Sequence, residues 1–350
     1  MDRNVILRII IAVIIAGWNL NVNAAIDGYY PKSLNGMSGK DLMVGLRNLV
    51  RNHNNAMPQL DNDVLWNIFM EIDVRDDGSV WDMFSPEHIK FSDTNNVPCG
   101  MGFCRIVPSG WVGVANADNA DISLDIHNLY PCNLDVAEYI ENLFAWNVYN
   151  VEYDNGALRA GKADLMGTIL DAYEPCDEYK GDIARVLMYV AICYGGEFDW
   201  VGSGSWNIYG ADSYPVLCEL FISVALAWHN LDPVDEKERN RNEAIYKLQG
   251  NRNPLIDYPE IVEHLWGNMV DTPFDMDGGQ GVENGFLQSE YKTDDIIWLR
   301  CRYVSDDAVW SVDGHTVEGQ CIEANKLGVG LHELKFVSSS EEGKVVIKIE

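Results

Sequence analysis

The sequence predicts an α+β chain, in which a mostly helical body is followed by a small all-β tail. Apolar residues recur at helical spacing in several stretches between Ser38 and Trp266. Beyond Gly267 the composition shifts to an acidic, glycine-rich segment, and from Ile296 apolar residues alternate in short runs separated by turns. At 350 residues the chain is too long for one ordinary core and suits two domains. With 47% hydrophobic residues and 11 Trp, a disordered chain is excluded.

The first element is an export signal. A charged start with Asp2, Arg3 and Arg8 precedes the uncharged run Ile9 to Gly17 and small residues at Ala24 and Ala25. Residues 1–24 therefore read as a signal peptide, with an uncleaved anchor as the alternative. The run is shorter than the roughly 20 residues that span a bilayer, so no membrane span remains after cleavage. The expected location is secreted, cell-surface or periplasmic.

The helices follow in order. Ser38 and Asp41 resemble a capping box ahead of Leu42, Leu46, Leu49 and Val50, and Val64, Leu65, Ile68, Phe69 and Ile72 repeat the pattern. Residues 80–125 are rich in Gly, Pro, Asn and Cys and suit loops and short strands. Ile183, Leu187, Val190 and Ala191 mark another helix, and Val216 to Trp228 is apolar enough for a buried one. Asp235 and Glu238 cap a helix running to Gln249, where Gly250 stands at C′ and Pro254 forbids continuation. The domain reading is a body at 25–268, an acidic linker at 269–287 and a β-sandwich at 288–350. Asp275 and Asp277 could hold calcium, but the twelve-residue loop register fails and a solvated linker is preferred.

Eight cysteines in an exported chain favour disulfides. Cys99 with Cys104 could close a local loop and Cys301 with Cys321 could bridge the tail, leaving Cys132, Cys176, Cys193 and Cys218 to pair among themselves. Half a zinc site at Cys99 and Cys104 lacks a second pair at ligand spacing. The 25 basic against 54 acidic residues leave a net charge of −29, which repels phosphate backbones and counts against a nucleic-acid partner.

Several blocks carry a family resemblance. Gln249-Gly250-Asn251-Arg252-Asn253-Pro254 with Asp257, Pro259-Glu260 and Trp266-Gly267 forms one, and Tyr179 to Arg185 another. Val80-Trp81-Asp82-Met83-Phe84-Ser85 and the stretch Tyr29 to Leu42 complete the set. Together they resemble the endonuclease I family of secreted bacterial nucleases. The resemblance implies a ββα-metal hairpin in the body. There a His acts as general base on water, and one Mg²⁺, held by a Glu and an Asn, stabilises the leaving phosphate during non-specific cleavage of DNA or RNA.

The chain departs from this pattern at the implied catalytic positions. Against the family's Glu-His ahead of Pro-x-Ser-Trp, it reads Cys104-Arg105-Ile106-Val107-Pro108-Ser109-Gly110-Trp111. Pro108 and Trp111 keep the frame, while the metal-ligand Glu is Cys104 and the base His is Arg105. Arg stays protonated near neutral pH and cannot take a proton from water. The second motif survives as Asp125-Ile126-His127-Asn128-Leu129-Tyr130-Pro131. Twelve residues after Asp125 the metal-binding Asn is Ala137, and three further the Arg is Ile140, while Asn142 is retained. Glu87-His88 could rebuild a site, but no Pro-x-Ser-Trp follows it, and an exposed loop is the alternative. His127 is expected to be a buried scaffold residue.

The reading that follows is a catalytically degenerate nuclease-family protein with no intact catalytic set, no metal site and no cofactor, although Mg²⁺ belongs to the family. The tail would attach it to a surface or a protein partner. Two alternatives stay open: an active Mg²⁺-dependent endonuclease with a rebuilt site, and a surface-binding or adhesion protein acting through the tail.

Overall fold

A computed structural model describes residues 28–350 apart from 54–61, 92, 94–95, 112–120, 142, 196–199, 202, 211–212, 277–289, 294–295, 300–308, 318–320, 338–341 and 350. The signal segment, Asn142, Cys301 and most of the acidic linker thus lie outside the described residues. The rest divides into two compact units. One holds 28–31 with Ser38–Thr272, and the other holds Lys32–Met37 with the chain from Pro273 on.

The first unit opens with helices α1 (Gly39–His53) and α2 (Asn62–Ile72). Leu42, Leu46, Leu49 and Val50 are buried, as their spacing requires. Val64, Leu65, Ile68, Phe69 and Ile72 join Ile126, Leu129, Ala244 and Ile245 in one apolar core. Strand β1 (Met101–Arg105) pairs antiparallel with β2 (Leu129–Asn133), placing Cys104 opposite Tyr130 and Gly102 opposite Cys132. Between the strands lie a short helix, α3 (Asp121–Leu124), and a 3₁₀ turn, Ile126–Asn128. Helix α4 (Leu134–Ile140) follows β2 at once, its N-terminus capped by Asn133, whose side chain accepts from the Asp135 and Val136 amides. Two strands and a helix in this order form the hairpin that the resemblance implied.

A four-stranded sheet comes next, which the sequence reading passed over. Strands β3 (Phe144–Ala145), β4 (Asn150–Asp154), β5 (Leu158–Leu165) and β6 (Thr168–Pro175) lie in the order β3-β6-β5-β4. A legible signal was present, since Asn155-Gly156 joins β4 to β5 and Gly156 takes φ +92, a conformation that favours glycine.

Helix α5 (Lys180–Tyr194) is buried at every residue and packs against α1 and α7 (Glu219–Leu231), with α6 (Ser203–Ile208) between them in sequence. The buried helix expected at Val216–Trp228 is corrected accordingly. Helix α7 begins at Glu219 and buries only one face, through Phe221, Val224, Ala225 and Trp228. Helix α8 (Glu236–Gln249) carries the expected cap: Asp235 and Glu238 form a reciprocal capping box, and Gly250 closes the end in the left-handed region at φ +85. Helices α9 (Pro254–Asp257) and α10 (Ile261–Trp266) complete the unit.

The second unit is a sandwich of two small sheets. Strands β7 (Glu290–Tyr291), β9 (Val309–Val312), β10 (His315–Thr316), β12 (Gly330–Val337) and β13 (Glu342–Ile349) form a sheet of order β10-β9-β12-β13-β7. Its pairings are antiparallel except for β7 against β13. Strands β8 (Ile296–Trp298) and β11 (Cys321–Glu323) form the second sheet, and helix α11 (Ala324–Leu327) follows β11. Ile297, Leu299, Trp310, Val312, Ile322, Leu334, Phe336, Ile347 and Ile349 make the core. Residues 35–37 bond to 274–276 within this unit, through the Gly36 amide on the Phe274 carbonyl at 2.8 Å and the Phe274 amide on the Met37 carbonyl at 2.7 Å.

Candidate functional site

The hairpin is held from below by buried polar residues. Asp125, fully buried, precedes β2 and caps the 3₁₀ turn, accepting from the His127 amide at 3.0 Å. Its carboxylate also accepts from Gln249 Nε2 at 2.7 Å and from the hydroxyls of Tyr189 and Tyr194 at 2.7 and 2.8 Å. Gln249 in turn takes the Ile126 amide at 2.9 Å and donates to Asn251 at 2.8 Å. Arg252 bridges Asp257 and Glu243 at 2.7 and 2.6 Å, and Asn253 caps α9. The Gln249–Pro254 block is therefore a buried clamp on Asp125, since its polar groups are spent on the scaffold.

His127 is 2% exposed, its ring lies 4.7 Å from that of Tyr189, and it hydrogen-bonds the Asn251 backbone. Burial pulls its pKa down to about 4, so the ring is neutral at pH 7. Its Nε2 has no hydrogen-bond partner among the described residues. Asn128 ties the loop before β2 to the one after β1, accepting from the Val107 amide at 2.8 Å and donating to the Val107 and Ile122 carbonyls at 3.0 and 3.2 Å. Trp111 is buried with its indole against Gly204, where a Cβ would come within 2.7 Å of the ring.

Cys104, Arg105, Ala137 and Ile140, dispersed over 37 positions of sequence, line one cavity of about 450 Å³. Pro108 from the retained frame, and Phe84, Phe103, Leu134 and Tyr173, complete most of its wall. Glu138 and Glu141, both exposed, also line it. Leu134 packs over Gly102, where a Cβ would meet the leucine side chain at 2.4 Å and push it aside. Asp82, 3% exposed, fastens the start of α4 by accepting from the Asn133 amide at 2.7 Å, and burial pushes its pKa up to about 6. The sequence reading missed Phe84, Phe103, Leu134 and Tyr173 as cavity residues. Phe84 stands in a quoted block, but nothing in one sequence tells a wall residue from a core residue.

Arg105 is half-buried, and its Nε donates to the Ser123 carbonyl at 2.8 Å. Burial lowers its pKa, and no carboxylate pairs with it among the described residues. Glu87-His88 lies elsewhere: the His88 side chain is 56% exposed and bonds Asp77 at 3.1 Å. That is a surface ion cluster with Lys90, and neither residue lines the cavity.

The disulfides expected among Cys99, Cys104, Cys132, Cys176, Cys193 and Cys218 are corrected, because all six are free, while the Cys301–Cys321 pairing falls outside the described residues. Extended backbone carries Cys104 about 10 Å along β1 from Met101, away from the turn that holds Cys99, which is more than a disulfide bridges. Cys104 instead bonds the Cys132 thiol on the neighbouring strand, and that contact with burial raises its pKa well above the usual range. Cys193 bonds the hydroxyls of Tyr189 and Tyr194 inside the core.

Residues 38–260 match the family model described as Endonuclease I. The chain belongs to the endonuclease I family. An extracellular ribonuclease of Bacillus amyloliquefaciens is 31% identical over 257 residues, which cover 70% of this chain and 80% of that protein. An extracellular ribonuclease of Bacillus subtilis (strain 168) is 38% identical over 151 residues, 41% of this chain. The chain spans 46% of the length of that second relative.

The Mg²⁺ that the endonuclease I resemblance implies does not fit the four residues that stand at its implied positions. Magnesium is held through oxygen donors in near-octahedral geometry. The cavity offers at the implied positions a thiol, a guanidinium cation, a methyl group and a branched alkyl chain. Among the described residues no group of three His, Cys, Asp or Glu is placed to hold a metal ion.

Proposed function

We propose that this chain is an exported endonuclease I homologue that has lost the phosphodiester hydrolysis of its family while keeping the scaffold. One observation carries the reading: Cys104, Arg105, Ala137 and Ile140 line a single cavity beside the hairpin, and none of the four can accept a proton from water or ligate Mg²⁺. Losing a general base alone costs about 10²–10⁴ in rate, and losing the metal removes the Lewis-acid contribution as well. Charge supports the same conclusion, since non-specific nucleases bind backbones through cations, and this chain carries a net −29. Export is supported by the signal-like residues 1–24 and by the extracellular relatives. The tail is read as the part that engages a surface or a protein partner.

The test is nicking of supercoiled plasmid and cleavage of total RNA by the mature chain, each with Mg²⁺ and with EDTA. No cleavage above the EDTA control is expected. EDTA-sensitive turnover at concentrations where an intact relative works would overturn the proposal.

A further inference from the structure

The cavity beside the hairpin has a volume and a lining of its own. We infer that it takes a small molecule with a flat apolar body and a single anionic head, the body filling the cavity and the head pairing with Arg105. Small-ligand pockets occupy about 300–1,000 Å³, and this one measures about 450 Å³ with a lining that is about half apolar and half polar. Phe84, Phe103, Ile106, Leu134, Ile140 and Tyr173 supply an apolar and aromatic wall.

Arg105 gives the pocket its chemical preference. Its Nε is spent on the Ser123 carbonyl, while its two terminal amino groups have no protein acceptor among the described residues. A half-buried guanidinium without a counter-charge gains most from an anion that brings one, and the two parallel donors suit a carboxylate or sulfonate. Glu138 and Glu141 work against a highly charged ligand. Both are exposed, so water and salt weaken their repulsion, and what remains grows with ligand charge and is smaller for a single charge at Arg105 than for a phosphate dianion. A mononucleotide is therefore disfavoured on charge and on the polarity of its base. The inference does not rest on the loss of catalysis, because binding is read without Mg²⁺ or nucleic acid.

The experiment is fluorescence titration of the mature full-length chain with 8-anilinonaphthalene-1-sulfonate and, in parallel, with the uncharged N-phenyl-1-naphthylamine. The expected result is saturable binding of one sulfonate probe per chain, abolished by Ala137→Trp, which fills the cavity. Leu134→Trp, at the more exposed end of α4, serves as a second filling variant if the first fails to fold by circular dichroism. Arg105→Gln is expected to weaken the sulfonate about tenfold while moving the neutral probe less than about twofold. Unsaturable binding, or saturable binding that survives in a folded filling variant, overturns the pocket. Equal loss of both probes in Arg105→Gln overturns the anionic head. Displacement of the sulfonate by adenosine monophosphate at lower concentration than by 1-naphthoate also overturns the inference and marks a nucleotide site. A chain that nicks plasmid yet binds the probe as described would refute the proposed loss of function and leave this inference standing.

Discussion

Gln249 Nε2 donates to Asp125 Oδ1 across 2.7 Å, joining two residues 124 positions apart. The bond locks the end of α8 to the turn that feeds β2, and the same glutamine takes the Ile126 amide at 2.9 Å. Both residues are fully buried, so neither can exchange its partner for water without opening the core. Gln249→Ala is expected to cost about 2–4 kcal/mol, and Asp125→Ala about 3–5 kcal/mol by stranding two tyrosine hydroxyls and the Gln249 amide. Urea denaturation followed by tryptophan fluorescence measures both. Losses near zero would mean that the clamp is not structural.

Restoring the implied catalytic groups separates a lost site from a lost scaffold. Cys104→Glu, Arg105→His, Ala137→Asn and Ile140→Arg together are expected to recover slow Mg²⁺-dependent cleavage, with the rate limited by the charge that opposes substrate. Neutralising Glu138 and Glu141 in the same background is expected to raise the rate further at low salt. The measurement is plasmid nicking by the parent, the quadruple variant and the charge-reduced variant. An inert quadruple variant that folds and binds Mg²⁺ would show that these four positions are not the lost site.

The free thiols sort by environment. Cys99 is exposed and is expected to alkylate first in the native protein, whereas Cys104, protonated through its contact with Cys132 and its burial, is expected to react slowly. Under oxidised glutathione the Cys104 and Cys132 sulfurs are expected to bond. Their two protons and two electrons pass to the reagent, whose own disulfide splits into two glutathione thiols. Peptide mapping without reduction reads the linkage. A Cys99–Cys104 link would contradict the strand geometry.

His127 makes stability depend on pH. Its pKa is about 4 in the folded chain and about 6.5 when unfolded, so between these values the unfolded chain binds more protons and stability falls as pH falls. The full loss from pH 7 to pH 4 is about 3 kcal/mol from this residue. His127→Gln is expected to flatten that part of the profile in denaturant melts at pH 7, 6, 5 and 4. NMR titration of the ring should place its midpoint well below that of a free histidine, and a midpoint near 6.5 would refute its burial as a neutral group.

The sequence by itself determined the fold class, the capped ends of α8, the apolar faces of α1 and α2, and the family. All of these are local: a capping box needs residues three apart, a helix face needs a period of 3.6, and a motif needs fixed spacing. The sheet β3–β6 was half legible through Asn155-Gly156. Its β6 strand was not, because that strand runs from exposed at Thr168 to buried at Pro175 and shows no clean alternation. Only the tertiary structure decided that α5 rather than α7 is wholly buried, since burial on all sides comes from neighbours that no helix period encodes. The thiol pairing was decided in the same way, because antiparallel register puts Cys132, 28 residues on, nearer to Cys104 than Cys99, which is five residues away along an extended strand. The cavity has the same origin. Cys104 and Arg105 come from β1, Ala137 and Ile140 from α4, and Tyr173 from β6, and these residues share one space because long-range packing, not spacing along the chain, sets which walls face each other.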